Sequence, residues 1–86
     1  MRENINMELG VQPLDTLMQR NGWSNNDIVN HSKNNFITHK QVQKARKGRR
    51  LTIKTQQKIL LAVNAYSNKE DFMLKDLFTY VGKKDL

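Results

Sequence analysis

Thr38-His39-Lys40-Gln41-Val42-Gln43-Lys44-Ala45-Arg46-Lys47-Gly48-Arg49-Arg50 reads as one short helix with a start, a stop and a basic exit. Thr38 is an N-cap residue, and Gln41 stands three positions on, where a capping box places Glu or Gln. Gly48 supplies the left-handed C-terminal stop. At about 100° per residue, Val42 and Ala45 share one narrow apolar seam. Lys40, Lys44 and Lys47 stack on the opposite side with Gln43 beside them, and His39 and Gln41 lie on the flanks. A helix that tucks in Val and Ala and turns Lys, Gln, Lys and Lys outward suits a polyanion. The Gln amide adds a donor and an acceptor, which can read a base edge.

Such a face also suits plain contact with water. The neighbourhood argues for more. From Ile28 to Asn68 there is no Asp or Glu, while nine Lys or Arg fall there. A surface built only for solubility mixes both signs.

The chain has 86 residues and a formal net charge of +7, with a pI near 10.0. That length makes one small domain with a modest core. The charge matches the electrostatic footprint of a nucleic-acid binder, although an anionic membrane surface would also attract it. No run reaches the roughly 18 apolar residues of a membrane span. The opening Met1 to Asn6 has no apolar signal-peptide core. Cysteine is absent, which removes disulfides and thiolate metal sites. The expectation is a cytoplasmic protein without a cofactor or metal.

In chain order, residues 1–11 read as a flexible arm. Pro13 to Asn21 reads as a helix, with Pro at its first turn and Leu14, Leu17 and Met18 on a core face. Asp15 and Arg20 sit at the ends that suit their charges. Ser24 to Ser32 reads as a second helix with a Ser24/Asp27 capping box and inward Ile28 and Val29. Trp23 is a lid on the core. Asn25 and Asn26 lie where free backbone N–H groups meet a phosphate. Phe36 and Ile37 are expected to plug the core before the basic helix, the third. A fourth helix, capped by Thr52, runs to about Tyr66 with Ile53, Ile59, Leu60 and Val63 on its broad apolar side. Residues 67–71 form a turn, Leu74 to Tyr80 a fifth helix, and residues 82–86 a frayed tail. Strand signals are weak, so the fold class is all-α: a compact bundle of five short helices in one domain, residues 12–81.

Two short helices in series, the second basic and ending in Lys47-Gly48-Arg49-Arg50, followed by Leu51 and a Thr52-capped helix, resemble the phage repressor/Cro-type helix-turn-helix family. This family is also called the xenobiotic-response-element type. The resemblance spans Leu14 to Tyr66. It departs from the family in a longer turn between the second and third helices, in Val29 where Ala is usual and in Lys33 where Gly is usual. In the family the third helix lies in the major groove with its early residues on base edges. The resemblance therefore implies that His39, Lys40, Gln43 and Lys44 read bases, with the first reader being either His39 or Lys40. It implies that Asn25, Asn26, Lys47, Arg49, Arg50 and Thr52 hold phosphates. It also implies a homodimer on double-stranded DNA and a role in transcription regulation, such as a repressor.

Two other classes stay open on sequence. One is a protein-interaction module, such as an antitoxin or a phage adaptor, docking through the N-terminal arm or the Phe72–Tyr80 segment. The other is a non-specific nucleic-acid binder. Against single-strand stacking, none of the six aromatic residues falls inside the basic helix, where stacked bases would need one. No enzyme is expected, because His31, His39 and the scattered acids form no nucleophile, base or metal set.

Overall fold

The computed structural model describes residues 9–32, 36–67 and 71–84. The expectations for residues 1–8, 33–35, 68–70 and 85–86, Lys33 included, lie outside the described residues. Five helices follow in order: α1 (Pro13–Asn21), α2 (Asn25–Asn30), α3 (His39–Lys47), α4 (Ile53–Ser67) and α5 (Leu74–Leu77). No strand forms among the described residues, so the protein is all-α.

Local chemistry sets most of the boundaries. α1 begins on Pro13 and ends at Gly22, which takes φ +70°. There Gly22 N–H donates to the Gln19 carbonyl and Trp23 N–H to the Met18 carbonyl, a Schellman ending that satisfies carbonyls the helix leaves open. α2 starts with a reciprocal box: Asp27 N–H donates to Ser24 Oγ at 3.1 Å, and Ser24 N–H donates to Asp27 Oδ2 at 2.8 Å. α3 repeats that chemistry, with Gln41 N–H on Thr38 Oγ1 at 3.1 Å and Thr38 N–H on Gln41 Oε1 at 3.0 Å. It closes at Gly48, φ +89°, with Gly48 N–H on Ala45 O and Arg49 N–H on Lys44 O. Thr52 caps α4 by accepting from Thr55 N–H at 3.2 Å.

The apolar seams meet in one core. Leu14 and Met18 of α1, Ile28 of α2, Ile37, Val42 and Ala45 of α3, Ile59, Ala62 and Val63 of α4, and Leu77 and Phe78 are buried together. α3 packs against α1, α2 and α4, while α5 closes the far side on α1 and α4. Burying Val42 and Ala45 uses up the seam of α3 and leaves its Lys/Gln side facing outward. Trp23 packs on the core edge, with its ring edge-on to Tyr66 at 5.2 Å between centroids.

Two expectations need correction. Phe36 does not plug the core: it is 77 % exposed at φ +52°, and Ile37 alone turns inward. The fifth helix stops at Leu77 rather than Tyr80, because Phe78 is extended (φ −131°, ψ 140°). That change lets Phe78 enter the core and frees the next backbone groups for long-range partners. In the expected tail, Gly82 and Lys83 carry backbone hydrogen bonds. Lys83 N–H donates to Leu51 O and Ile53 N–H donates to Lys83 O, at 2.9 and 2.8 Å, a parallel bridge centred on Thr52 and Lys83. At the end of the expected arm, Leu9 N–H donates to Gly48 O at 2.8 Å.

Two buried glutamines hold these ends. Gln12 Oε1 accepts from the Thr79 backbone N–H and hydroxyl at 2.7 and 3.1 Å, and its Nε2 donates to Gly10 O. Gln56 Oε1 accepts from Gly82 N–H at 3.1 Å, and its Nε2 faces Tyr80 O at 3.4 Å. Buried amides are tolerated because both ends find partners. The Tyr80 hydroxyl then links the tail to the basic exit of α3, donating to Arg49 O and accepting from Leu51 N–H.

Candidate nucleic-acid interface

The outward side of α3 and the first residue of α2 line a groove of about 720 Å³, formed by Asn25, His39, Lys40, Gln43, Lys44, Lys47 and Arg49. All four expected base readers are in it. Of the six expected phosphate residues, it gathers Asn25, Lys47 and Arg49. Asn26 and Arg50 are exposed outside its lining, and Thr52 is engaged as the α4 cap. Among the described residues no acid lines the groove. His39, Lys40, Lys44, Lys47 and Arg49 make no side-chain hydrogen bond or ion pair to another described residue.

The side chain that sequence reasoning missed is Arg46. Its Nε pairs with Asp15 Oδ1 of α1, and its Nη1 donates to Asn25 Oδ1 of α2 at 2.7 Å. Asn25 Nδ2 in turn donates to Gln43 Oε1 of α3 at 2.9 Å. A relay of four side chains therefore crosses three helices and ends on the amide that faces the groove. It also pairs Asp15, the acid on the neighbouring helix, with a cation. Helical geometry could have pointed to Arg46. It sits four residues after buried Val42, hence about 40° from it, on the margin of the seam rather than on the open face.

Asn25 thus has a second role beside its expected one. It occupies the first position of α2, where backbone N–H groups lack helical partners, and it also braces Gln43. The neighbouring Asp27 carboxyl is held below the usual carboxylate range, first by the Ser24 backbone N–H and also by the Ser24 and Tyr66 hydroxyls. The box that opens α2 and presents Asn25 therefore stays intact at neutral pH.

No family model matches the chain, and neither the curated proteins nor the solved structures provide a match. No helix among the described residues is long and apolar enough to cross a membrane.

Proposed function

We propose that this protein binds double-stranded DNA sequence-specifically through α3 and acts as a small transcriptional regulator. The groove carries the proposal: four cationic side chains, a histidine and two amides converge, with no acid among them. A helix with side chains is about 10–12 Å across, and the major groove is about 12 Å wide, so α3 can enter it. Nine residues of helix rise about 13 Å, the length of roughly four base steps at about 3.4 Å each. His39, Lys40, Gln43 and Lys44 face the base edges. Lys47, Arg49, Arg50 and the start of α2 meet the flanking phosphates, with the Tyr80 hydroxyl bracing the Arg49–Leu51 turn from behind. Neutralising phosphates supplies much of the affinity, and the amide and imidazole groups supply the choice of sequence.

A reach of about four base steps is too short to define a unique site, so a homodimer on a palindrome completes the proposal. Exposed Leu61 on the outer side of α4 and the neighbouring Ala65 are candidate contacts, as is α5. No catalytic step belongs to this reading, and the cytoplasm is its proposed setting.

One observation favours the interaction module as a second reading. Val11, Leu17 and Phe72 line another groove, of about 610 Å³, together with Arg20, Asp71 and Asp76. Apolar side chains beside charges of both signs resemble protein contacts more than DNA contacts.

The test is a backbone NMR titration with duplex DNA. The expected result is that shifts concentrate on Asn25 and on residues 38–50. Shifts confined to Val11, Leu17 and residues 71–79 on adding a protein partner, with none on adding DNA, would overturn the reading in favour of the second.

A further inference from the structure

We infer that the Asp15–Arg46–Asn25 relay fixes which way the Gln43 amide faces, and that Gln43 consequently reads a guanine. The inference rests on the DNA-binding reading above and deepens it.

The polarity of the relay follows from its first two members. A carboxylate only accepts hydrogen bonds and a guanidinium only donates them. Arg46, joined to Asp15 at Nε, has nothing but N–H to offer Asn25. The Asn25 oxygen must therefore face Arg46, as it does at 2.7 Å. This turns the Asn25 amide nitrogen toward α3, where only an acceptor satisfies it. The Gln43 oxygen is that acceptor, at 2.9 Å. Each group is oriented by the one before it, and the Gln43 Nε2 is left on the side away from Asn25, with neither N–H bonded to a described residue.

An amide nitrogen with two free donors is not a neutral reader. Guanine offers two adjacent acceptors in the major groove, N7 and O6. Adenine offers one acceptor beside a donor, thymine a single acceptor, and cytosine a donor. The exposed N–H pair matches guanine in the way a lysine ammonium does. An unbraced Gln could instead turn oxygen and nitrogen together onto adenine, and the brace from Asn25 opposes that rotation. Asn25 and Arg46 are positioning residues here, acting through Gln43.

The test is selection from a randomised duplex pool with the wild-type protein and with Q43A, N25A, N25D, R46K and R46A. The position whose preference Q43A abolishes is the one Gln43 reads. Wild type should favour guanine there by on the order of tenfold over adenine. N25A removes the brace at an exposed helix terminus and should reduce that ratio to about threefold or less. N25D places a pure acceptor opposite Gln43, so the amide turns over, presents its oxygen and shifts the preference to adenine or cytosine. Asp at the first turn suits the helix dipole, so N25D should retain the fold. R46K keeps a donor-only partner for Asn25 and should retain the guanine preference. R46A should lose it, and N25A and N25D carry the test if R46A fails to fold.

An unchanged base preference in N25A and N25D, or a wild-type preference for adenine or cytosine at the Gln43 position, would overturn the inference while leaving DNA binding in place. A wild-type protein that enriches no motif would overturn the DNA-reading proposal, and this inference with it.

Discussion

Gln43 and Lys47 lie one turn apart on α3 and line the same groove, yet their loss should read out differently. Q43A should cost about 1–3 kcal/mol at one base position and leave affinity for unrelated sequence nearly unchanged. K47A should weaken binding to all sequences alike and lower the salt slope by about one. Titrations against a selected duplex and a scrambled one separate the two effects; uniform loss in Q43A would remove Gln43 from the readers. Gly48 makes a second residue-scale prediction. It holds φ +89° and would drive a Cβ into the Gly10 backbone, so both conformation and space exclude a side chain. G48A should lose at least about 1–2 kcal/mol in denaturant unfolding and loosen residues 9–10 from the α3 exit. The groove was legible from the sequence because periodicity alone puts Lys40, Gln43, Lys44 and Lys47 on one side of α3. Arg46 is less legible, because in composition it is one more cation on a basic helix, while its place is the margin of the apolar seam. Its partner Asp15 is 31 positions away.

The helices begin where local bonds tell them to. Ser24 with Asp27 and Thr38 with Gln41 are contacts between residues three apart, so sequence spacing reveals them. Asp27 gives the α2 box a pH dependence of definite sign. Its folded pKa is lowered, chiefly by the Ser24 backbone N–H, so the native state binds that proton less readily than the unfolded chain. The resulting stability is fully present above the ordinary carboxylate range and is lost as pH falls through the lowered value. Thermal unfolding followed from neutral to acid pH should therefore show an acid loss that is shallower in D27N; an identical acid limb in both proteins would contradict this role. Elements that depend on distant partners were harder to read. Leu74 to Tyr80 has a helical pattern, but only Leu74–Leu77 is helical, because Phe78 enters the core and Thr79 and Tyr80 bond elsewhere. The sequence places Phe36 in the core beside Ile37, but in the structure it stands at positive φ and faces outward.

Over the whole molecule, residues 9–12 and 79–83 converge behind the basic exit of α3. Gln12 holds Thr79 across 67 positions and Gln56 holds Gly82 across 26. Neither glutamine announces this in the sequence, since Gln is ordinarily solvent-exposed. Q56A should leave the buried Gly82 N–H without its acceptor, at a cost of about 1–3 kcal/mol. Hydrogen exchange should then quicken at Gly82 and Lys83, and at Leu51, whose N–H bonds to Tyr80. Unchanged exchange at these amides would show that the tail is held by something else. The all-α class was legible because every seam has a helical period, whereas the tertiary clasp was not, because its bonds join residues that no local pattern relates.

The most direct measurement is binding to a randomised duplex pool at about 50 and 200 mM salt, followed by sequencing of the bound fraction. One enriched palindromic motif is predicted, with half-sites about one helical turn apart and affinity falling steeply between the two salts. Retention of duplexes without any enriched motif, or no retention even at the lower salt, would contradict a sequence-reading α3.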